Sequence, residues 1–359
     1  MEKFRASDLH VARILEMRYL AKISVLVCGA LMMASATLSS AQSSYFIIDL
    51  GVIDSNGYSV AKSVNASGLV TGAAGTNNTN LSEVFLYSNG VMSSLGTLGG
   101  SSGIGNAINA SGQVAGYSQN ASKTYRAFLS SGGSLTDIGD LGGGSAVAYG
   151  MNDLGFVVGS AVTKNGENHP FLYRKGRMID LGTLGSKNND WWNVAQAVNN
   201  SGVVAGTSYD ATGNFFGFVW KAGAMTKMGT LGGAWSQAYG INNKGQITGL
   251  AYTKNGGAHA FISNCGSCPL RDLGTITGST STVWGFAIND SGVVVGQTTF
   301  QNTYHAFVYS GGKMKDLNSL IPAGSGWELT EANGINSAGQ IVGMGTIHGQ
   351  EHGYLLTPQ

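Results

Sequence analysis

Short apolar runs alternate with a recurrent polar turn along most of this chain. An Asn-x-x-Gly turn recurs every 43 to 47 residues, and its asparagines are Asn65, Asn109, Asn152, Asn199, Asn242, Asn289 and Asn336. An apolar run precedes each turn, and a β-branched run such as Val-Val-Val at 293–295 follows it. Two such runs form a β-hairpin when the asparagine bonds its own backbone and the glycine is left-handed. The pattern predicts seven repeats of one unit.

Two further runs complete each unit. The third run contains an aromatic residue, which is Phe85, Phe128, Phe171, Phe218, Phe261, Phe307 or Tyr354. The fourth run carries Asp-Leu-Gly or a relative, starting at Asp49, Ser94, Asp137, Asp180, Lys227, Asp272 and Asp316. Four short strands per unit are typical of a β-propeller blade.

The two ends of the repeat region complement each other. A fourth run at 46–51 precedes the first hairpin, and the last unit stops after its third run at 354–356. Pairing these fragments would complete one blade and remove an exposed sheet edge. We therefore predict an all-β fold over residues 42–359. It is a seven-bladed β-propeller with four antiparallel strands per blade, closed by the N-terminal strand pairing into the last blade.

The N-terminal segment differs from the repeats. It contains, in order, Met17, Arg18 and Lys22, an apolar run at 23–33, and Ser39-Ser40-Ala41. A positive region, an apolar run and a small-residue cleavage pattern predict a secretory signal peptide over residues 1–41. The true start is then expected at Met17 and the mature N-terminus near Gln42. An uncleaved signal anchor is the alternative. A secreted or periplasmic bacterial protein is expected.

The composition and charge of the chain predict that it folds and exclude several classes of partner. The chain has 56 glycines and 4 prolines, is 43% hydrophobic and 11% charged, and carries a formal net charge of +1. Such a chain folds rather than staying disordered, and its glycines suit many tight turns. A nucleic-acid binder normally clusters Lys and Arg, and no such cluster occurs. We expect no nucleic acid, no membrane span after signal cleavage, no cofactor and a monomer.

Two sequence motifs resemble a known family. His-Ala-Phe occurs at 259–261 and 305–307, and a Gly-Thr-Leu-Gly-Gly stretch occurs at 96–100 and 229–233. Across its predicted mature length the chain resembles the HAF-repeat family of probable extracellular bacterial proteins. The resemblance implies export and repeat architecture. That family has no established activity, so it supplies no catalytic residues.

Histidines and acidic residues recur at fixed repeat positions. The histidines that lie two residues before the third-run aromatic are His169, His259, His305 and His352. In a radial blade these positions are too far apart to share a metal ion, so we predict no metal site and expect the rings to bond local backbone. The fourth-run aspartates are expected to cap turns. Glu328 and Glu331 depart from the repeat and are expected to lie in one loop and to face solvent.

Two cysteines mark a lengthened hairpin. Five units have nine residues from the third-run aromatic to the fourth-run Asp or its equivalent, whereas Phe261 and Asp272 are eleven apart. Cys265 and Cys268 lie between them. A structural disulfide suits an oxidising compartment, and we predict one here.

Aromatic residues gather before the hairpin turns. The candidate set comprises Tyr58, Trp191, Trp192, Trp235, Trp284 and Trp327, at or near the position seven residues before the turn asparagine. These loops are expected at the mouth of the propeller channel, where aromatic rings could form a ligand-binding ring. The alternative is that they wedge between blades.

Three functional hypotheses are compatible with the predicted fold. The first is a non-enzymatic binding module that holds a glycan, peptide or protein at the channel mouth. The second is a polysaccharide hydrolase or lyase, which would need a non-repeating carboxylate pair or a metal ion. The third is a structural surface or adhesion component. The predicted fold is compatible with all three functions, and the catalytic residues of an enzyme would be unknown.

Overall fold

The seven sequence units each form short β-strands. A computed structural model describes residues 44–55, 57–76, 81–186, 192–276, 281–300 and 303–359. The leader predicted over residues 1–41 and the candidate Trp191 lie outside these ranges. We number the units 1 to 7 by their turn asparagines, from Asn65 to Asn336.

The strand bounds follow the unit boundaries. In chain order the strands are β1 (Tyr45–Asp49), β2 (Gly57–Val64), β3 (Val70–Thr76), β4 (Ser82–Ser88), β5 (Val91–Gly96), β6 (Gly99–Ile108), β7 (Val114–Asn120), β8 (Tyr125–Ser131), β9 (Ser134–Asp137), β10 (Gly142–Met151), β11 (Val157–Thr163), β12 (Asn168–Arg174), β13 (Arg177–Asp180), β14 (Val194–Val198), β15 (Val204–Tyr209), β16 (Phe215–Lys221), β17 (Ala224–Lys227), β18 (Gly232–Ile241), β19 (Ile247–Thr253), β20 (Ala258–Ser263), β21 (Arg271–Asp272), β22 (Val283–Ile288), β23 (Val294–Phe300), β24 (Thr303–Ser310), β25 (Lys313–Asp316), β26 (Trp327–Ile335), β27 (Ile341–Ile347) and β28 (Gln350–Pro358). A 3₁₀ helix spans Leu317–Ser319.

The strands pair into antiparallel sheets of four. Units 3 to 6 each form one sheet from four consecutive strands, and units 1 and 2 do the same but share a single parallel bridge between Ser82 and Ser102. The remaining sheet has the order β1-β28-β27-β26. In it Tyr45 lies opposite Pro358 and Asp49 opposite Tyr354, so the N-terminal strand is the fourth strand of unit 7. The predicted all-β fold with four-stranded antiparallel sheets is confirmed.

The turn asparagine shapes each hairpin from within. The side-chain oxygen of Asn65 accepts hydrogen bonds from the backbone N–H groups of Ser67 and Leu69, both at 3.0 Å. Gly68 adopts a φ of +79°, which glycine tolerates without strain. The same Asx-type geometry recurs in the other units, as the sequence predicts.

The same asparagines also link neighbouring units. Their Nδ2 groups donate to the backbone carbonyl of the next turn asparagine at 2.9–3.1 Å, and the pairs are Asn65 to Asn109, Asn152 to Asn199, Asn199 to Asn242, Asn242 to Asn289, Asn289 to Asn336 and Asn336 to Asn65. Units 2 and 3 are joined instead by the Nδ2 of Asn106, which donates to the carbonyl of Ala148 at 2.8 Å. The turn asparagines are buried, and these bonds give their side-chain NH₂ groups a partner. The same carbonyls also accept from the N–H of their own turn glycine, as that of Asn109 does from Gly112 at 3.0 Å.

The core consists of clusters between neighbouring sheets. The third-strand aromatic is fully buried in every unit. Seven clusters of buried side chains each combine two successive units, and one of them packs Leu50 and Leu355 of unit 7 against Val70 and Phe85 of unit 1. Hydrophobic burial therefore acts mainly between sheets, as expected for stacked repeats.

The outer two strands carry a repeated polar pair. The fourth-strand aspartates cap the following turn, as predicted. In unit 5, for example, Asp272 accepts a hydrogen bond from the backbone N–H of Gly274 at 2.7 Å. The histidines do not bond local backbone, and that expectation is wrong. The Nδ1 atoms of His169, His259, His305 and His352 bond the carboxylates of Asp180, Asp272, Asp316 and Asp49 at 2.6–2.9 Å. In each of these units the pairing register of the third and fourth strands places the histidine and the aspartate side chains next to each other.

Two further expectations concern the disulfide and membrane-spanning segments. Cys265 and Cys268 form the predicted disulfide in the hairpin between β20 and β21. No helix in the described ranges is long and apolar enough to cross a membrane.

Candidate ligand cavity

Each first strand contains a β-bulge three residues before its turn asparagine. In unit 5, Ala238 pairs with Gly249 and Gly240 pairs with Thr248, so Tyr239 is an extra residue without a cross-strand partner. The same register shift occurs in all seven units, and the bulged residues are Lys62, Asn106, Tyr149, Gln196, Tyr239, Phe286 and Asn333. A bulge redirects a side chain relative to the sheet. Here it turns one side chain per unit toward a shared cavity.

A glycine in the second strand accommodates the bulge. A Cβ atom on Gly249 would overlap the carbonyl oxygen of Gln237, and the glycines of the other units would meet the matching oxygen. The aromatic ring of the third strand also lies close to the position of this added Cβ, as Phe171 does at Gly159. The glycine therefore allows the close backbone approach that the bulge requires.

The bulged residues line a central cavity of about 500 Å³, to which all seven first strands contribute. The apolar residues just before the turn asparagines form a collar at one end of it. Val64, Met151, Val198, Ile241, Ile288 and Ile335 line both this cavity and the next one, and Ile108 lines the next one. Beyond the collar lies a second cavity of about 270 Å³, lined by the turn residues. The larger cavity is within the range of small-molecule sites, roughly 300–1,000 Å³.

One side of the cavity carries opposite charges. The Nζ atom of Lys62 lies 4.0 Å from an Oε2 of Glu331, and about a quarter of each side chain is exposed. Burial lowers the pKa of Lys62, and the nearby Glu331 carboxylate opposes that shift. Glu331 lies within strand β26 and lines the cavity, so the expectation that it faces solvent in a loop is wrong. Glu328 is exposed, as expected, but it also lies in strand β26 and not in a loop.

Another part of the cavity wall is aromatic. Tyr239 and Phe286 lie with ring centroids 5.7 Å apart in an edge-to-face arrangement, and Tyr149 also lines the cavity. Burial raises the pKa of both tyrosines, that of Tyr239 well above its usual range. Both phenols are therefore neutral at physiological pH.

Three amide side chains complete the polar lining. Asn106 donates through Nδ2 to the carbonyl of Ala148, and Asn333 does the same to the carbonyl of Ala61. The Oδ1 atoms of both have no hydrogen bond within the described part of the chain. Gln196 has none there through either amide atom. These groups can bond a ligand without breaking an existing contact.

Among the described members of the predicted aromatic set, none lines this cavity. Trp235 packs between Phe215 of unit 4 and Tyr252 of unit 5, with ring centroids 4.4 and 4.0 Å away. Trp284 contacts Tyr304, and Trp327 contacts His352 and Tyr354.

The other two described members of the aromatic set are Tyr58 and Trp192. Tyr58 lies beside Gly75, and Trp192 is 49% exposed. Both belong to the end of their unit opposite the turn asparagine. Ligand binding by the aromatic set stays a prediction.

Replacing Trp235 separates the two interpretations of these aromatic residues. Trp235→Ala is expected to lower the free energy of unfolding by about 2 kcal/mol, because a half-buried ring that bridges two units is lost. Trp192→Ala is the matched control and should stay within about 0.5 kcal/mol. Thermal denaturation of both variants measures this. Equal melting temperatures for Trp235→Ala and the parent protein would exclude the wedge interpretation.

The cavity residues were not singled out from the sequence, although a signal exists. The position just before the turn asparagine is always apolar, and the one before that is always Gly, Ala or Ser. The third position back holds Lys, Asn, Tyr, Gln or Phe. A position that varies freely between two constrained neighbours marks a side chain that leaves the sheet core.

Comparison with known proteins identifies the fold alone. No family model and no curated protein match the chain. The extracellular domain of a hybrid two-component system from B. thetaiotaomicron superposes with a TM-score of 0.51 at 11% identity, over 88% of this chain and 40% of that one. A puromycin hydrolase superposes with a TM-score of 0.51 at 10% identity, over 81% and 53%.

A third solved structure superposes over a comparable share of this chain. TolB from Acinetobacter baumannii superposes with a TM-score of 0.48 at 13% identity, over 73% of this chain and 63% of TolB. This chain therefore spans between 40% and 63% of the length of the three structures. The first two structures superpose with TM-scores of 0.51, and their likeness shows that this chain has a β-propeller-like all-β fold.

Proposed function

We propose that this protein is a binding module, a closed seven-bladed β-propeller that holds a ligand in the central cavity. The observation that carries the proposal is the set of seven β-bulges. Each bulge directs one side chain into the cavity, and five residue types occupy the seven positions. A framework that served only stability would need no such variety at an otherwise regular repeat position.

Contacts between the last and first units support the closed ring. The Nδ2 of Asn336 donates to the carbonyl of Asn65 at 2.9 Å, which is the same bond that joins five other pairs of successive units. Leu50 and Leu355 pack against unit 1 in the same manner as other neighbouring sheets. A ring leaves no unit without two neighbours.

Export is part of the proposal. The predicted leader over residues 1–41 and the disulfide between Cys265 and Cys268 both suit an oxidising compartment. The resemblance to HAF-repeat proteins agrees with a secreted or periplasmic location. It supplies no activity, so the binding role depends on the cavity.

A hydrolase or lyase is less well supported. Glycoside hydrolysis ordinarily uses two carboxylates at the reacting bond. Within the described lining of the larger cavity, Glu331 supplies the single carboxylate. Groups of three or more potential metal ligands are also not found among the residues that the structure describes. The geometry therefore favours binding.

A blocked cavity tests this function. Gln196→Trp places a large ring in the cavity, whereas Thr226→Trp places the same ring on an exposed strand of the same unit. A thermal-shift screen of soluble small molecules should give ligands that stabilise the parent and the Thr226 variant, but not the Gln196 variant. The binding proposal fails if no ligand distinguishes the two variants.

A further inference from the structure

The cavity lining suggests a specific class of ligand. We propose, building on the binding function above, that the cavity recognises a neutral saccharide. Three features carry this inference: balanced charge, amide groups free to bond, and aromatic ring surface. Together they fit a ligand with many hydroxyl groups and no net charge.

The first feature is charge balance. Within the described lining, Lys62 and Glu331 are the side chains that carry charge, and they sit 4.0 Å apart. Either charge alone would attract an oppositely charged ligand, but the other would repel it in a site partly removed from water. A ligand that brings a net charge meets one like charge at close range. A neutral ligand avoids this cost.

The second feature is the mixture of free donors and acceptors. Gln196 offers both an amide oxygen and an NH₂ group. Asn106 and Asn333 offer oxygens, while their NH₂ groups donate to backbone and, in Asn333, also to the Glu331 carboxylate. Lys62 offers further donors. A hydroxyl group is one donor and two acceptor sites, so it can match either kind. Polar groups spread over units 1, 2, 4 and 7 require several such hydroxyls on one ligand.

The spacing of the charged pair fits adjacent hydroxyls. One hydroxyl can accept from the Nζ of Lys62 while its neighbour donates to the Glu331 carboxylate. Charge-assisted bonds of this kind are stronger than those between neutral groups. An amino acid could also place a carboxylate and an ammonium here, but it would leave the amides of units 2 and 4 unmatched.

The third feature is the aromatic wall of Tyr149, Tyr239 and Phe286. The faces of such rings are electron-rich and attract the slightly positive C–H groups of a pyranose ring. Raised pKa values keep both tyrosines neutral, so the wall adds no charge. A sugar ring can therefore stack on this wall while its edge hydroxyls reach the amides.

Matched glycosides test the inference on the purified protein. The probes are methyl glycosides of glucose, galactose and mannose, each with its uronate and 2-amino counterpart, together with glycine, leucine and glutamine. Isothermal titration calorimetry should detect at least one neutral glycoside. Its uronate and amino counterparts should bind at least tenfold more weakly, because each meets a like charge.

Charge-removing variants make the test specific. Glu331→Gln is expected to raise the affinity for the uronate relative to the neutral glycoside at least tenfold, and Lys62→Met should do the same for the amino sugar. Melting temperatures confirm that both variants fold. Thr226→Trp should leave every affinity unchanged.

Each failure has a distinct meaning. A charged glycoside or an amino acid that binds more tightly than every neutral glycoside, and loses binding in Gln196→Trp, would overturn the saccharide inference and leave the binding function standing. Neutral glycosides that bind Gln196→Trp as well as the parent would also overturn it, since they would occupy another site. The absence of any ligand sensitive to Gln196→Trp would overturn both proposals.

Discussion

Removing residues 42–51 is expected to lower the free energy of unfolding by more than about 5 kcal/mol, a large part of the roughly 5–15 kcal/mol typical of folded domains. The deletion removes β1 and leaves the main-chain groups of β28 exposed at a sheet edge. It also removes Leu50, which is 4% exposed, and a buried leucine alone contributes roughly 2–5 kcal/mol. Thermal unfolding followed by circular dichroism measures the loss.

The same strand offers a matched control. Phe46 and Ile48 are 59% and 40% exposed, so a Phe46→Ser, Ile48→Ser double variant keeps the ladder and should melt close to the parent. A synthetic peptide covering residues 42–53 should restore stability to the deleted chain by strand addition. A deleted chain that melts within two or three degrees of the parent (about 1 kcal/mol) would contradict the proposed ring closure.

Gly249→Ala is expected to destabilise the protein by about 3 kcal/mol, although it adds a single methyl group. The new Cβ would overlap the carbonyl oxygen of Gln237, which is backbone and cannot move without disturbing the bulge at Tyr239. Overpacking against backbone is costly because neither partner can change rotamer. Thermal denaturation measures the effect, and ligand affinity should fall with it.

A second glycine provides the comparison for Gly249. Gly229 is exposed, has no neighbouring atom within 4 Å of an added Cβ, and lacks a left-handed φ. Gly229→Ala should therefore be neutral or slightly stabilising, since alanine restricts the unfolded chain. Similar losses in the two variants would show that the bulge does not require glycine.

The repeat framework could be predicted because its determinants are local. Each turn asparagine bonds atoms two and four residues away, as Asn65 does with Ser67 and Leu69, and such geometry depends on sequence alone. The pairing of the first and last strands followed from counting strands. What a single unit could not reveal is that the same asparagine also bonds the next unit.

The histidine partners were missed because they depend on cross-strand register. Within the sequence, however, the two positions change together. Three units lack the histidine, and in each of them the partner position differs as well. Arg126 pairs with Asp137 in unit 2, and Glu83 bonds Ser94 in unit 1. In unit 4 the Lys227 ammonium lies over the Phe216 ring. Matched changes at two repeat positions indicate contact, and that signal was available.

The cavity residues were missed for a different physical reason. A β-bulge adds one residue to a strand, so simple alternation between two faces no longer assigns the side chains that follow. In the sequence pattern, Tyr239 is indistinguishable from the other apolar residues of strand β18. Only the pairing of Ala238 with Gly249 and Gly240 with Thr248 shows that it leaves the sheet.

The pairing of β1 with β28 also determines how the molecule responds to force. The backbone N–H of Gln359 donates to the carbonyl of Ser44 at 3.1 Å, so both strands begin their ladder beside the two ends of the repeat region. Tension applied between those ends peels the ladder one bond pair at a time, from Pro358 toward Tyr354, rather than shearing all pairs at once. Peeling needs far less force than shearing.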